Sequence, residues 1–153
     1  MARVRAAASF PATVHQAERC WYDTARWPEF VDELARVLAV EGPWPAEGAS
    51  VVWESGPAGR GRVVERVVAH EALSGQTVDV CDNSISGRQS VWFVPAGAGV
   101  QVVLELDYRI RRRNPLTPLV DRLFVRRLMA ASLERTLSRF GIALQGALRE
   151  EAR

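Results

Sequence analysis

The sequence predicts an α+β fold: a curved antiparallel β-sheet of about seven strands wrapped around one long C-terminal α-helix, with two short helices after the first strand. Three observations predict it. Val102, Leu104, Leu106, Tyr108 and Ile110 alternate with Val103, Glu105, Asp107 and Arg109, the period of a strand with one apolar and one wet face. The connections between strand-like segments are of hairpin length, which suits antiparallel neighbours, since a parallel pair needs a long crossover. No proline interrupts the interior of residues 117–148, where Leu128, Ser132, Thr136, Phe140 and Leu144 recur at four-residue spacing and Leu133 and Leu137 widen the line into a stripe. That is the spacing of a helix with one buried face.

The elements follow in order. Arg3 to Phe10 alternates weakly and stops at Pro11, a first strand. Pro11 opens a short helix through Trp21, with Val14, Ala17, Glu18 and Trp21 at helical spacing. Asp23-Thr24 caps a second short turn, Ala25 to Val31, whose Pro28 suits a first turn but not a helix interior. Leu34 to Glu41 is the second strand, and Gly42-Pro43-Trp44-Pro45 separates it from Ser50 to Ser55. After the Gly56-Pro57-Ala58-Gly59 turn, Arg60 to Glu71 forms a long strand that turns at Leu73-Ser74-Gly75 into Gln76 to Asp82. Arg88 to Pro95 follows, then Ala96-Gly97-Ala98-Gly99 and the clear strand ending at Arg111-Arg112-Arg113-Asn114-Pro115. The whole of residues 1–153 is expected to be a single ligand-binding domain, because one helix over a curling sheet leaves a gap near the short helices.

Composition narrows the function. With 48% hydrophobic and 25% charged residues the chain is globular rather than disordered. No apolar run approaches the roughly 20 residues that span a bilayer, and Met-Ala-Arg-Val-Arg lacks the apolar core of a signal peptide. Cys20 and Cys81 make no CxxC or metal pattern, so reduced thiols and a cytoplasmic location are expected. All 20 basic residues are arginine, the mark of a GC-rich coding bias such as actinobacteria carry, and the lack of lysine excludes Schiff-base chemistry on a lysine side chain. His15 and His70 are the only histidines, which argues against a multi-histidine metal site. There is no P-loop, GxGxxG, GxSxG or carboxylate cluster, so neither cofactor nor metal is expected.

Glu18-Arg19-Cys20-Trp21 with Asp23, Trp27-Pro28-Glu29-Phe30, Gly61-Arg62-Val63 and Ser132-Leu133-Glu134-Arg135 occur in an order that resembles the START-like helix-grip (SRPBCC) superfamily. Within it, the chain is most similar to the polyketide cyclase/dehydrase and lipid-transport group, from Val4 to about Leu144. The resemblance implies a hydrophobic-ligand cavity, and its nearest functional analogy is the single-domain aromatase/cyclases of bacterial aromatic polyketide synthesis. Those enzymes line the cavity with a tryptophan of the WPE segment, an arginine on the long strand and a tryptophan on a later strand. The matching positions here are Trp27, His70 and Trp92. His70 thus replaces the family's arginine, Leu34 replaces a tyrosine, and Val64 and Arg66 replace aromatic residues, so the mechanism cannot be carried over unchanged.

An inward face of Val64, Arg66, Val68 and His70 on the long strand would put a neutral imidazole in an apolar cavity. Asp82 would then meet Arg66 across the strands. A two-residue turn would instead bring Asp79 and Cys81 to that face, because one residue of slip inverts a strand. The plainer reading of His70 is a strand-end histidine bonded to backbone or water. An inward Tyr108 would stabilise an enolate through its hydroxyl. His70, Arg66, Tyr108 and Asp82 are therefore the candidate catalytic residues. Trp27, Phe30, Leu34, Trp53, Val68, Trp92, Leu104, Leu106, Met129, Ser132 and Thr136 are the candidate substrate-binding residues, with core packing as the plain alternative for each aromatic ring. Arg111 to Arg113 with Arg122, Arg126 and Arg127 makes a basic end, either a solvated cluster or a dock for an acyl carrier protein or an anionic membrane surface. Nucleic acid and integral membrane association are not expected, and monomer or homodimer stays open. Three functions remain: a cofactor-free cyclase or dehydratase of antibiotic-type polyketides, a non-catalytic carrier of a lipid, quinone or other hydrophobic molecule, or a subunit whose convex face pairs with another chain.

Overall fold

The computed structural model describes residues 1–57, 59–111 and 120–153. The chain runs β1 (Ala2–Phe10), α1 (Val14–Tyr22), a 3-10 turn at Thr24–Arg26, α2 (Trp27–Phe30), β2 (Leu34–Glu41), β3 (Ser50–Ser55), β4 (Arg62–Glu71), β5 (Gly75–Cys81), β6 (Ile85–Ala96), β7 (Gly99–Ile110) and α3 (Val120–Glu151). The strands form one seven-stranded antiparallel sheet in the order β1-β7-β6-β5-β4-β3-β2. β2 to β7 is thus a meander of hairpins, and β1 returns beside β7 in register, Val4 opposite Leu106 and Ala6 opposite Leu104. The expected helix start at Thr117 and the arginines at 112 and 113 lie outside the described residues.

Local chemistry sets the elements, but α1 starts at Val14 behind a Thr13 cap rather than at Pro11 as expected. Thr13 and Gln16 form a reciprocal capping box, Thr13 Oγ1 accepting from the Gln16 amide at 3.1 Å and Gln16 Oε1 accepting from the Thr13 amide at 2.9 Å. Pro28 stands in the first turn of the single-turn α2. On the sheet's outer face, charged side chains pair across strands, Arg3 with Asp107 at 2.6 Å and Arg88 with Asp79 at 2.9 Å. These pairs are exposed, so solvent screening leaves them little weight in stability.

One helix covers the inner face. Leu133, Thr136, Leu137, Phe140, Ala143 and Leu144 are its buried line. Leu128, expected in that stripe, is instead 45% exposed, as are Leu123 and Phe124 at 60%. The buried stripe therefore starts a turn later than the four-residue spacing suggested. The clamp is aromatic: Phe140 lies within 5.2–5.4 Å of Phe10, Trp21 and Phe30, each ring meeting it edge-on, the arrangement that ring quadrupoles favour. Gly141 allows this closeness, since a Cβ there would stand 2.8 Å from the Phe10 ring. We expect Phe140→Ala to destabilise the fold by about 3–5 kcal/mol, read as a large drop in the urea midpoint; a loss under about 1 kcal/mol would contradict the clamp.

Candidate functional site

Beyond that clamp, α3 and α2 stand off the middle of the sheet and leave a cavity of about 50 Å³. Trp21, Trp27, Val31, Trp53, Val78, Val80, Val91, Leu104, Leu106, Met129 and Leu133 supply its apolar wall. Asp32, Arg60, Glu65, Gln76, Gln89, Ser132 and Thr136 supply the polar part. At roughly 10–15 Å³ per water, the space holds a few waters, so a larger guest must push the walls apart.

Two polar clusters border the cavity. In the first, Glu65 points inward from β4 between Val63 and Val67 and is buried. Its Oε2 accepts from Trp53 Nε1 at 2.6 Å. Burial pushes this carboxyl above the ordinary glutamate range, against the opposing pull of the Trp53 hydrogen bond and the Arg60 charge. Arg60 lies with its guanidinium carbon 5.9 Å from the Trp53 ring centre and its Nε bonded to Asp82. Asp82 has a fully buried side chain and also accepts from the amides of Ser84 at 2.6 Å and Ile85 at 2.9 Å. Arg60 Nη2 is buried with no hydrogen-bond partner among the described residues.

The second cluster centres on Asp32, in the turn between α2 and β2. Ser132 Oγ donates to it at 2.7 Å, Arg135 makes a two-pronged contact at 2.9 and 3.0 Å, and Arg139 adds a bond at 3.3 Å. The Asp32 amide donates to Thr136 Oγ1 at 3.0 Å. Burial alone would raise this carboxyl; the bonds from Arg135 and Ser132 and the charges of Arg135 and Arg139 hold it below the ordinary aspartate range. The cluster ties the turn, whose next residue Glu33 sits at φ 67°, to α3 across the cavity.

The family model for polyketide cyclase/dehydrase and lipid transport matches residues 1–144. The chain belongs to that family. No curated protein matches it in sequence. Solved structures share its fold. TTHA0849 from Thermus thermophilus is 22% identical, with TM-score 0.76, covering 95% of this chain and 99% of that one. A START superfamily protein from Mycobacterium smegmatis is 12% identical, with TM-score 0.76, over 94% of this chain and 97% of that one. The di-domain ARO/CYC StfQ of the steffimycin biosynthetic pathway is 16% identical, with TM-score 0.73; the match covers 94% of this chain and 50% of StfQ. The START-like helix-grip fold expected from the sequence is therefore the fold of this family member.

Within that fold the expected site residues divide. Trp27, Trp53, Leu104, Leu106, Met129, Ser132 and Thr136 line the cavity. Phe30 and Leu34 are buried in the core but are not part of the cavity wall, Phe30 being engaged with Trp21 and Phe140. Trp92 is half-buried on the outer face, because Val91 and Phe93 take the inner positions of β6. The expected inward face of β4 is inverted at Val64 and Arg66, which are exposed while Val63, Glu65 and Val67 face in. Arg66 stands opposite Asp79, and Asp82 pairs with Arg60, so the Arg66–Asp82 pair does not form. A bulge between Val67 and Ala69 leaves Val68 half-buried and switches the parity, so His70 pairs with inward Gln76. His70 does not reach the cavity wall; it packs edge-on against Tyr22 at 5.4 Å. Tyr108 is buried past Leu106, its hydroxyl unpartnered among the described residues, and it too is outside the wall.

The hydroxyls of Ser132 and Thr136 line the cavity yet are spent on Asp32. Sequence reasoning missed Asp32, Arg60, Glu65, Gln76 and Gln89. One signal pointed to Glu65: of two interleaved lines, Val63-Glu65-Val67 and Val64-Arg66-Val68, the one with glutamate goes inside more cheaply, because a buried carboxyl can keep its proton and a guanidinium cannot lose one. Arg111, expected in a free basic run, instead donates to the Asp82 carbonyl at 2.7 Å. Among the described residues no helix is long and apolar enough to cross a membrane.

The two carboxyls give opposite pH signatures. The raised Glu65 stabilises the fold fully below its unfolded value near 4.3 and loses that contribution as pH rises through the folded value. The lowered Asp32 contributes above about 3.9 and loses its contribution as pH falls through the folded value. Urea titrations across pH should therefore show Glu65→Gln removing part of the decline on the alkaline side and Asp32→Asn removing part of the decline on the acid side. Curves parallel to the unsubstituted protein would contradict these environments.

Proposed function

We propose that this protein takes a small, mainly apolar molecule into the cavity beneath α3 and promotes its cyclisation or dehydration without a cofactor. One observation carries this reading: a tryptophan-walled cavity with a few isolated polar groups lies between helix and sheet in a member of the polyketide cyclase/dehydrase family. Apolar walls with sparse polar groups are how proteins bind and orient small molecules, and orientation alone can supply much of the rate of an intramolecular ring closure. Trp27, Trp53, Leu104, Leu106 and Met129 are the substrate-contacting residues of this proposal. A ligand larger than a few waters enters by parting α3 from the Asp32 turn, where the bonds to Ser132, Arg135 and Arg139 are the ones to open. A cytoplasmic role in antibiotic-type polyketide synthesis, with an acyl carrier protein docking at exposed Arg122, Arg126 and Arg127, belongs to the same proposal.

The second reading is a non-catalytic carrier of a lipid, quinone or similar molecule. It is favoured by the position of His70, Arg66, Tyr108 and Asp82, the expected catalytic residues, all outside the cavity wall. Mass spectrometry separates the two. Gently purified protein should release an apolar molecule on denaturation, and a product that differs from the molecule supplied, by loss of water for a dehydration or by chromatographic retention at the same mass for a cyclisation, supports the enzyme. An unchanged molecule supports the carrier. Met129→Trp, which fills the half-buried end of the cavity, should cut the bound fraction at least tenfold while leaving the thermal midpoint nearly unchanged; undiminished loading would place the ligand elsewhere.

A further inference from the structure

Arg60 and Glu65 both contact Trp53, Arg60 over its ring and Glu65 at its N–H, and both line the cavity with hydrogen-bonding capacity that no described residue takes up. Arg60 spends Nε on Asp82, while its Nη2 is buried without a partner among the described residues. Because Nη2 makes no hydrogen bond to the described residues and Arg60 lines the cavity, that donor is open to an acceptor on a guest. Glu65 has one oxygen fixed as an acceptor by the Trp53 N–H at 2.6 Å. A buried carboxyl that keeps its proton must then carry it on the other oxygen, which makes that oxygen a donor. Both groups line the one cavity.

The charges decide what these donors accept. Asp82, with its side chain fully buried, already balances Arg60. A carboxylate guest would add a second anion to that pair with no further cation among the described residues of the cavity wall, an unmatched buried charge. A hydrocarbon would leave Nη2 unsatisfied. A neutral acceptor oxygen meets both requirements.

We propose that Arg60 and Glu65 form a two-donor site for a single acceptor oxygen, and that the molecule taken up is a neutral carbonyl compound rather than a carboxylic acid or a hydrocarbon. The proposal rests on the cavity reading above and names the functional group that the cavity selects. Trp53 is the positioning residue: it fixes the Glu65 carboxyl through its N–H and supports the Arg60 guanidinium on its ring. Asp82 positions Arg60 from behind.

The test uses the full chain at neutral pH with three small probes: cyclopentanone, cyclopentane and butanoate. Binding is followed by NMR shift titration, and the carbonyl stretch of bound cyclopentanone by infrared difference spectra. Cyclopentanone should bind about tenfold tighter than cyclopentane, and its stretch should move to lower frequency than in a hydrocarbon solvent. Glu65→Leu should remove that advantage, read as a ratio of cyclopentanone to cyclopentane affinity that falls from about ten to about one or below. Glu65→Gln, whose amide offers Trp53 an acceptor and the guest a donor, should keep affinity within about threefold. Arg60→Met is made together with Asp82→Asn, so that no carboxylate is left buried alone, and should also lose the ketone preference. Should that double variant fail to fold, Glu65→Leu and the infrared band decide. Equal binding of ketone and hydrocarbon overturns the two-donor site but leaves the cavity reading standing. Butanoate binding as well as cyclopentanone overturns the neutral class. Failure of all three probes to bind overturns both the site and the cavity reading.

Discussion

Everything in this molecule depends on how one helix is fastened to a sheet too wide for it. Phe140 does the fastening, with Phe10, Trp21 and Phe30 gathered edge-on around it. The clamp draws together β1, α1, α2 and the C-terminal half of α3, and Gly141 lets the Phe10 ring come close. Because the sheet curves, holding the helix tightly at one place forces it to stand away elsewhere. The cavity beneath Met129, Ser132, Leu133 and Thr136 is the consequence. Close packing and an internal space are therefore two results of one constraint, and the exposure of Leu123, Phe124 and Leu128 marks where the helix has passed beyond its cover.

Asp32 and Glu65, two buried carboxyls that line the same cavity, show how the same side-chain chemistry is resolved in opposite ways. Asp32 receives two guanidinium groups and a hydroxyl, so it keeps its charge and works as a fastening between turn and helix. Glu65 sits where the nearby guanidinium is already engaged with Asp82, so its environment favours the acid form. A charged fastening suits the rim, where Arg135 and Arg139 reach solvent with about half their side-chain surface. An uncharged polar group suits the interior, where a guest without charge can meet it at little desolvation cost. The family's fold supplies the cavity, and the residues that face it supply its selectivity.

Local rules made most of the fold legible from the sequence alone. Period-two alternation marked β7, and turn clusters of glycine and proline separated the strands. The family resemblance supplied the name of the arrangement and, of its three carried-over positions, Trp27 lines the cavity while His70 and Trp92 do not; Trp53, Leu104, Leu106 and Met129, expected from the residues themselves, do line it. These features depend on neighbours close in sequence or on motif order, both of which can be read along a line. Ser132 and Thr136 were noticed because small polar residues interrupt an apolar stripe, and they do border the cavity, though their hydroxyls serve Asp32.

The tertiary structure settled which side of β4 faces in. Its sequence carries two lines, Val63-Glu65-Val67 and Val64-Arg66-Val68, that alternation cannot choose between because they are equally apolar, and only the cheaper burial of a carboxyl than of a guanidinium separates them. Pairing with β3 and β5 made the choice, and the bulge after Val67 then reversed it for His70. A bulge is one unpaired residue set by the register of two neighbouring strands, so no single strand's sequence contains it. The same holds for the polar partners. Asp32 meets Ser132 and Arg135 across about a hundred positions of chain, and Arg60 meets Asp82 across a hairpin. What the sequence determined by itself was the set of elements, their order and their family. What only the folded chain decided was which charged groups are brought face to face, because that depends on distances in space that the spacing of residues along the chain does not encode.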